Sequence, residues 1–176
     1  GLTNPKDVNH NAYFGVTDVK IDNKESSYVV QNPMKSVLAE LTVIIENIPK
    51  GTEMSGKALD CAGCLFPTQK NSDGDYGLPS IEPTEVELPT LLATESILKS
   101  EVIRLMPTIQ GSPASHIYLR LQLPDETLQE FDITAPKMNV GGKYELRFKY
   151  EEMQPKMNLE ATINGWTNLN NEVEIK

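Results

Sequence analysis

Oily and polar side chains alternate along much of this chain, and the alternation predicts strands. From Ser36 to Ile48, Val37, Ala39, Leu41, Val43 and Ile45 share one parity, while Glu40, Thr42 and Glu46 take the other. A period of two places these sets on opposite faces of an extended backbone, so the segment reads as a half-buried strand. Pro49-Lys50-Gly51 ends it. The last third repeats the pattern. Ile117, Leu119, Leu121 and Leu123 alternate with Tyr118, Arg120 and Gln122, and Pro124-Asp125-Glu126 turns the chain. Thr127 to Thr134 returns with Phe131 and Ile133 on one parity, and Val140-Gly141-Gly142 marks the next turn. Tyr144, Leu146, Phe148 and Tyr150 then alternate with Glu145, Arg147, Lys149 and Glu151. Met157, Leu159, Ala161 and Ile163 do so next, and Val173 and Ile175 close the series.

Elsewhere the signal is weaker. Tyr13 to Ile21 predicts a short strand, Tyr28-Val29-Val30 another, and Met54 to Cys64 a strand of small residues. Pro67 to Pro83, around Asn71-Ser72-Asp73-Gly74-Asp75, reads as a long loop by composition. Thr94 to Met106 fits a helical face about as well as a strand, and its β neighbourhood favours a strand over Glu101 to Met106. Strands at roughly ten-residue spacing, with turns between, predict an antiparallel meander or Greek key. Each strand has one wet face, so two sheets must pack together. Helical segments between strands are missing, which argues against a parallel α/β sheet. The expected organisation is a lead-in over residues 1–12 and one β-sandwich domain over 13–176.

Size and charge narrow the function. The chain has 176 residues, enough to bury a core without metals or a disulfide framework. Its net charge is −9 and its arginines are Arg104, Arg120 and Arg147 alone, the wrong balance for gripping nucleic acid or an anionic membrane surface. No stretch approaches the roughly twenty apolar residues of a membrane helix. Gly1-Leu2-Thr3-Asn4-Pro5 reads as a trimmed start, so an export signal is expected to have been removed.

Candidate chemistry is sparse. Cys61-Ala62-Gly63-Cys64 has the spacing of a redox dithiol or half a zinc site. There is no second cysteine pair, and only His10 and His116 could add ligands. A thioredoxin-like motif also needs a helix after it, which Gly63 and Pro67 oppose. Two small buried or turn residues, free or paired with each other, are the expected reading. The glutamates fall mostly on the wet parity of strands, and nothing favours a glycosidase pair among them. Asn71 to Asp75 has oxygen ligands around a glycine, with Glu82 at the twelfth position of a calcium loop. Leu78, Pro79 and Ile81 spoil that spacing, so a plain loop is favoured. Gly141-Gly142 precedes a strand and makes no anion site. Trp166, the single tryptophan, reads as a plug at one end of the sandwich in preference to a sugar platform. No catalytic, cofactor-binding or metal-binding residue is assigned.

Two stretches resemble the fimbrillin-like proteins of Bacteroidales, which make or anchor the type V pilus. One is Gly142-Lys143-Tyr144-Glu145-Leu146-Arg147-Phe148 followed by Leu159-Glu160-Ala161-Thr162-Ile163-Asn164-Gly165-Trp166. In it Gly142, Lys143, Tyr144, Ile163 and Trp166 take the family's places. The other is Ala39-Glu40-Leu41-Thr42-Val43-Ile44-Ile45-Glu46-Asn47-Ile48-Pro49. The resemblance implies a Greek-key, transthyretin-like or immunoglobulin-like sandwich. It also implies export, usually as an outer-membrane lipoprotein, and a non-enzymatic role in fimbrial assembly or adhesion. Partners would be other pilus or surface subunits, joined by strand addition, with a glycan or host protein as a further ligand. Leu169 to Lys176 is the candidate donor strand, against the plainer reading of an edge strand in its own sheet. A carbohydrate-binding surface module using Tyr76, Tyr118 or Trp166 is the alternative function.

Overall fold

The computed structural model describes residues 12–20 and 29–153 and, as backbone alone, 159–160 and 167–168. In chain order the strands are β1 (Tyr13–Phe14), β2 (Lys35–Ser36), β3 (Ala39–Glu46), β4 (Glu53–Ala62), β5 (Leu65–Lys70), β6 (Tyr76–Pro79) and β7 (Pro83–Leu92). They continue as β8 (Ile97–Lys99), β9 (Ile103–Leu105), β10 (Ala114–Gln122), β11 (Leu128–Pro136), β12 (Lys143–Lys149), β13 (Leu159–Glu160) and β14 (Thr167–Asn168). One sheet runs β13-β11-β10-β4-β7. The other runs β14-β12-β3, with β8 and β9 both on the far side of β3.

Alternation decides which side of each strand is inside. From the first sheet Met54, Ala58, Val86, Leu88, Ile117, Leu119, Leu121, Phe131 and Ile133 are buried. From the second, Leu41, Val43, Ile45, Leu98, Leu105, Tyr144 and Leu146 join them in one cluster. Burying a side chain of this size contributes about 1.5–3 kcal/mol, so the interlayer contact dominates stability. The fold is thus the expected all-β sandwich. Among the described residues it is antiparallel except at two pairings: β3 runs parallel to β12, and β11 parallel to β13.

The wet faces carry charge in pairs. On the second sheet Arg147 reaches both Glu46 and Glu145, and Lys143 lies 3.7 Å from Glu40. Arg104 approaches the same Glu40 at 3.8 Å, an ion pair too long to be a hydrogen bond. Ile44 is buried on this outer side of β3. Its in-register neighbours are Arg147 and Lys99, long side chains of the kind whose alkyl stems cover apolar surface.

Two junctions show how side chains complete the backbone. Between β8 and β9 the ladder on β3 would lapse at Val43. Ser100 fills the gap: its hydroxyl accepts the Val43 N–H at 2.9 Å, and its own N–H donates to the Val43 carbonyl at 2.9 Å. Before β12, the Tyr144 ring folds back over Gly142, 2.6 Å from where a Cβ would stand. The Tyr144 hydroxyl accepts the Asn139 N–H at 2.8 Å. The Gly-Lys-Tyr run is therefore one device: the glycine makes room for the ring, and the ring closes the turn.

Several expectations change. Pro67 to Pro83 is not a loop but a hairpin of β5 and β6, because Asn71 Oδ1 accepts the N–H groups of both Asp73 and Asp75 and forces a tight reversal. Its polar composition reflects exposure, since β5 is exposed from Phe66 to Lys70. β7 was not expected. Pro83 and Pro89 hide it from pattern reading, yet it pairs on one side only, where proline is tolerated. The strand expected over Glu101 to Met106 shortens to β9, and β8 precedes it. The strand expected from Tyr13 shrinks to β1, and Val29-Val30 lies in no strand. Ile21, Tyr28, Met157, Ile163, Trp166, Val173 and Ile175 lie outside the described residues.

Candidate functional site

The cysteine pair sits where β4 leaves the sandwich for β5. Ser80 holds this exit: its hydroxyl accepts the N–H groups of Gly63 and Cys64, and its own N–H donates to the Cys64 carbonyl. The thiols are not bonded to each other, and they face different surroundings. Cys61 is buried and Cys64 exposed. Burial, reinforced by the Asp60 charge, pushes the Cys61 thiol up to about 12. A thiol so hard to ionise is a poor nucleophile. The motif lies at a strand–turn–strand junction, not before a helix, so it lacks the setting of a dithiol redox centre. Cys64 instead borders an apolar groove of about 340 Å³ lined by Tyr13, Phe14, Leu65 and Met106, among others.

The other sequence candidates are dispersed. His116 opens β10 near its start and pairs with Asp60 of β4. His10 lies outside the described residues. The Asn71 oxygen is committed to backbone N–H groups, and Asp73 and Asp75 project from the turn beside it. Among the described residues no three His, Cys, Asp or Glu side chains converge as metal ligands would. Tyr118 stands half-buried on the outer face of β10. Its hydroxyl donates to Glu130 at 2.7 Å, and that bond raises its pKa. Gly141-Gly142 lies in the turn before β12, as read from the sequence.

A second concave feature was not legible in the sequence. At one end of the sandwich the β5–β6 turn, residues 110–113 and residues 137–140 meet Lys35 of β2 around a cleft of about 510 Å³. Buried hydrogen bonds set its walls. The Thr108 hydroxyl bonds the Ser115 hydroxyl and accepts the Met138 N–H at 2.8 Å, tying the 137–140 connection to the start of β10. The Gln110 N–H donates to the Ser80 carbonyl at 3.0 Å. Tyr76 lines the cleft and is anchored from outside it. Its hydroxyl donates to Asp18, and the Lys70 ammonium lies 4.6 Å from its ring centroid. The Tyr76 hydroxyl first, and then the Lys70 ammonium donating to the same carboxylate at 3.2 Å, hold the Asp18 carboxyl below the usual carboxylate range. The cleft's elements lie far apart in sequence, so no local motif could announce it.

No curated protein matches the chain. A solved structure from Bacteroides ovatus ATCC 8483, described as a "putative cell adhesion protein", is similar at 11% identity and a TM-score of 0.43. The match covers 69% of this chain and 42% of that one, so the chain spans less than half the length of this neighbour. The family of fimbrillin-A associated anchor proteins matches residues 4–172. The match spans most of the chain, which therefore belongs to the family of fimbrillin-A associated anchor proteins Mfa1 and Mfa2.

Proposed function

We propose that the chain is a non-enzymatic fimbrial subunit, one sandwich domain over residues 13–176, that joins its neighbours by strand addition and is held at the outer membrane as a lipoprotein. The family match over residues 4–172 carries this reading. The sheet edges support the mode of assembly. On their outer flanks, β11 is paired only at Ile133 and Thr134, and β12 only at Tyr144 and Glu145, among the described residues. A partner's extended segment placed along either flank would gain backbone hydrogen bonds and a row of side-chain positions. The opposite edge, β7, carries Pro83 and Pro89, which lack the N–H that a docking strand needs.

Leu169 to Lys176 is the proposed donor. Deleting residues 168–176 tests the assignment. If the segment serves a neighbour, the isolated protein keeps its melting temperature to within about 2 °C, while surface fimbriae counted by electron microscopy are lost. A fall of ten degrees or so would show that the segment completes its own sheet and would end the donor assignment.

A further inference from the structure

We propose that the cleft formed by the β5–β6 turn, residues 110–113 and residues 137–140 is a binding site for an uncharged glycan. The case rests on which polar groups face it and on how they are left. Lys35, Lys137, Asp73, Asp75 and Gln110 all line the cleft, and their side chains make no hydrogen bond or ion pair among the described residues. Two ammonium groups and two carboxylates therefore share one cleft without neutralising one another. On the other sheet, Glu40, Glu46, Glu145, Arg104, Lys143 and Arg147 all pair. Unpaired charges also stand singly elsewhere on the surface; in the cleft both signs and an amide converge on one concave space beside an aromatic ring.

The mixture selects the ligand class. A phosphate or polyanion would meet Asp73 and Asp75, and a polycation would meet Lys35 and Lys137. A sugar hydroxyl both donates and accepts, so a run of hydroxyls can satisfy ammonium, carboxylate and amide groups together. Tyr76 adds the apolar element such sites use, an aromatic surface for ring C–H groups. Asp18 and Lys70 hold that ring in place, and neither lines the cleft. The volume of about 510 Å³ suits a short stretch of oligosaccharide. The walls are also fixed before any ligand arrives, because the Thr108, Ser115 and Met138 bonds tie two of them together. This proposal is independent of strand addition, since it concerns the isolated chain.

The test is a printed array of neutral oligosaccharides (manno-, malto-, cello- and chito-hexaoses among them) and anionic ones (heparin, polysialic acid), with titration calorimetry on each hit. Binding to neutral glycans is expected, with an affinity that changes less than about twofold between 50 and 500 mM salt. Gln110→Ala and Lys137→Ala should each weaken it about tenfold. Tyr76→Ala should abolish it, and Tyr76→Phe, which keeps the ring but loses the Asp18 anchor, should weaken it only a few-fold. Tyr118→Ala, outside the cleft, should change nothing, and melting curves confirm that each variant folds. No binding anywhere on the array overturns the proposal. Binding confined to anionic glycans, or falling steeply with salt, overturns the ligand class. Loss of binding through Tyr118 and not through the cleft variants overturns the site.

Discussion

Ser100 offers the sharpest measurement of how this sandwich is held together. Val43 is fully buried in β3, and its N–H has the Ser100 hydroxyl as its acceptor at 2.9 Å. Ser100 itself is 4% exposed, so water has little access to replace it. Ser100→Ala removes an acceptor and leaves the donor in place. Losing both partners of a hydrogen bond is nearly neutral, but stranding a buried N–H costs about 1–3 kcal/mol. Taking about 2 kcal/mol, and about 2–4 °C per kcal/mol for a domain of this size, the melting temperature should fall by about 4–8 °C. Urea unfolding followed by circular dichroism should show a lower midpoint at unchanged slope. Ser100→Thr and Ser100→Val isolate the hydroxyl, because the two side chains have nearly the same shape and stress the packing alike. The Thr variant should be the more stable by about 1–3 kcal/mol. If the two variants melt together, or Ser100→Ala stays within about 0.5 kcal/mol of the parent, the hydroxyl is not standing in for a strand carbonyl.

Three further outcomes follow from the same structure. Gly56→Ala would drive a methyl group against the Tyr118 carbonyl of β10 and to within 2.9 Å of Leu119 Cδ2. It should cost about 1–3 kcal/mol in urea unfolding through overpacking, against a gain of at most about 1 kcal/mol from a stiffer unfolded chain. A neutral result would mean that β4 and β10 can part without cost. At pH 8 an alkylating reagent should label one thiol per folded chain, Cys64, and two after denaturation; peptide mapping that finds Cys61 labelled first would contradict the assigned burial. Above pH 9 stability should fall, because the unfolded thiol ionises near 9.0 while folded Cys61 holds its proton to about 12. The unfolded chain then binds fewer protons, and this one group should remove about 1.4 kcal/mol between pH 8 and pH 10. Cys61→Ala should flatten that part of the urea-midpoint profile, and an unchanged profile would refute the cause.

The sandwich was legible where strands have one wet face and one dry one. β3, β10, β11 and β12 were each placed within a few residues, because every second side chain reports the interlayer. β7 escaped notice because Pro83 and Pro89 read as breakers, and only the topology shows that it lies at an edge, where prolines are permitted. The β5–β6 hairpin escaped because Asn71, Asp73 and Asp75 have the composition of a loop, whereas their hydrogen bonds make a compact turn. Gly142 and Tyr144 were visible as a motif of the resemblance, but their reason, a ring lying on a glycine, is tertiary. The cleft was invisible for a related cause. Lys35, the Asn71–Asp75 turn, Gln110 and Lys137 belong to distant segments that carry no shared pattern.

The parallel pairing of β3 with β12 also bears on the order in which the chain can fold. Glu40 lies beside Lys143 in the finished sheet, roughly a hundred residues along the chain, so this contact carries a loop-closure cost that the local hairpins do not. A polypeptide made from its amino terminus cannot seat that early strand until most of its length is available. Until then the oily edge around Leu41 and Ile45 is open to chaperones and to wrong partners alike. The topology thus makes closure of the second sheet wait for the last third of the chain.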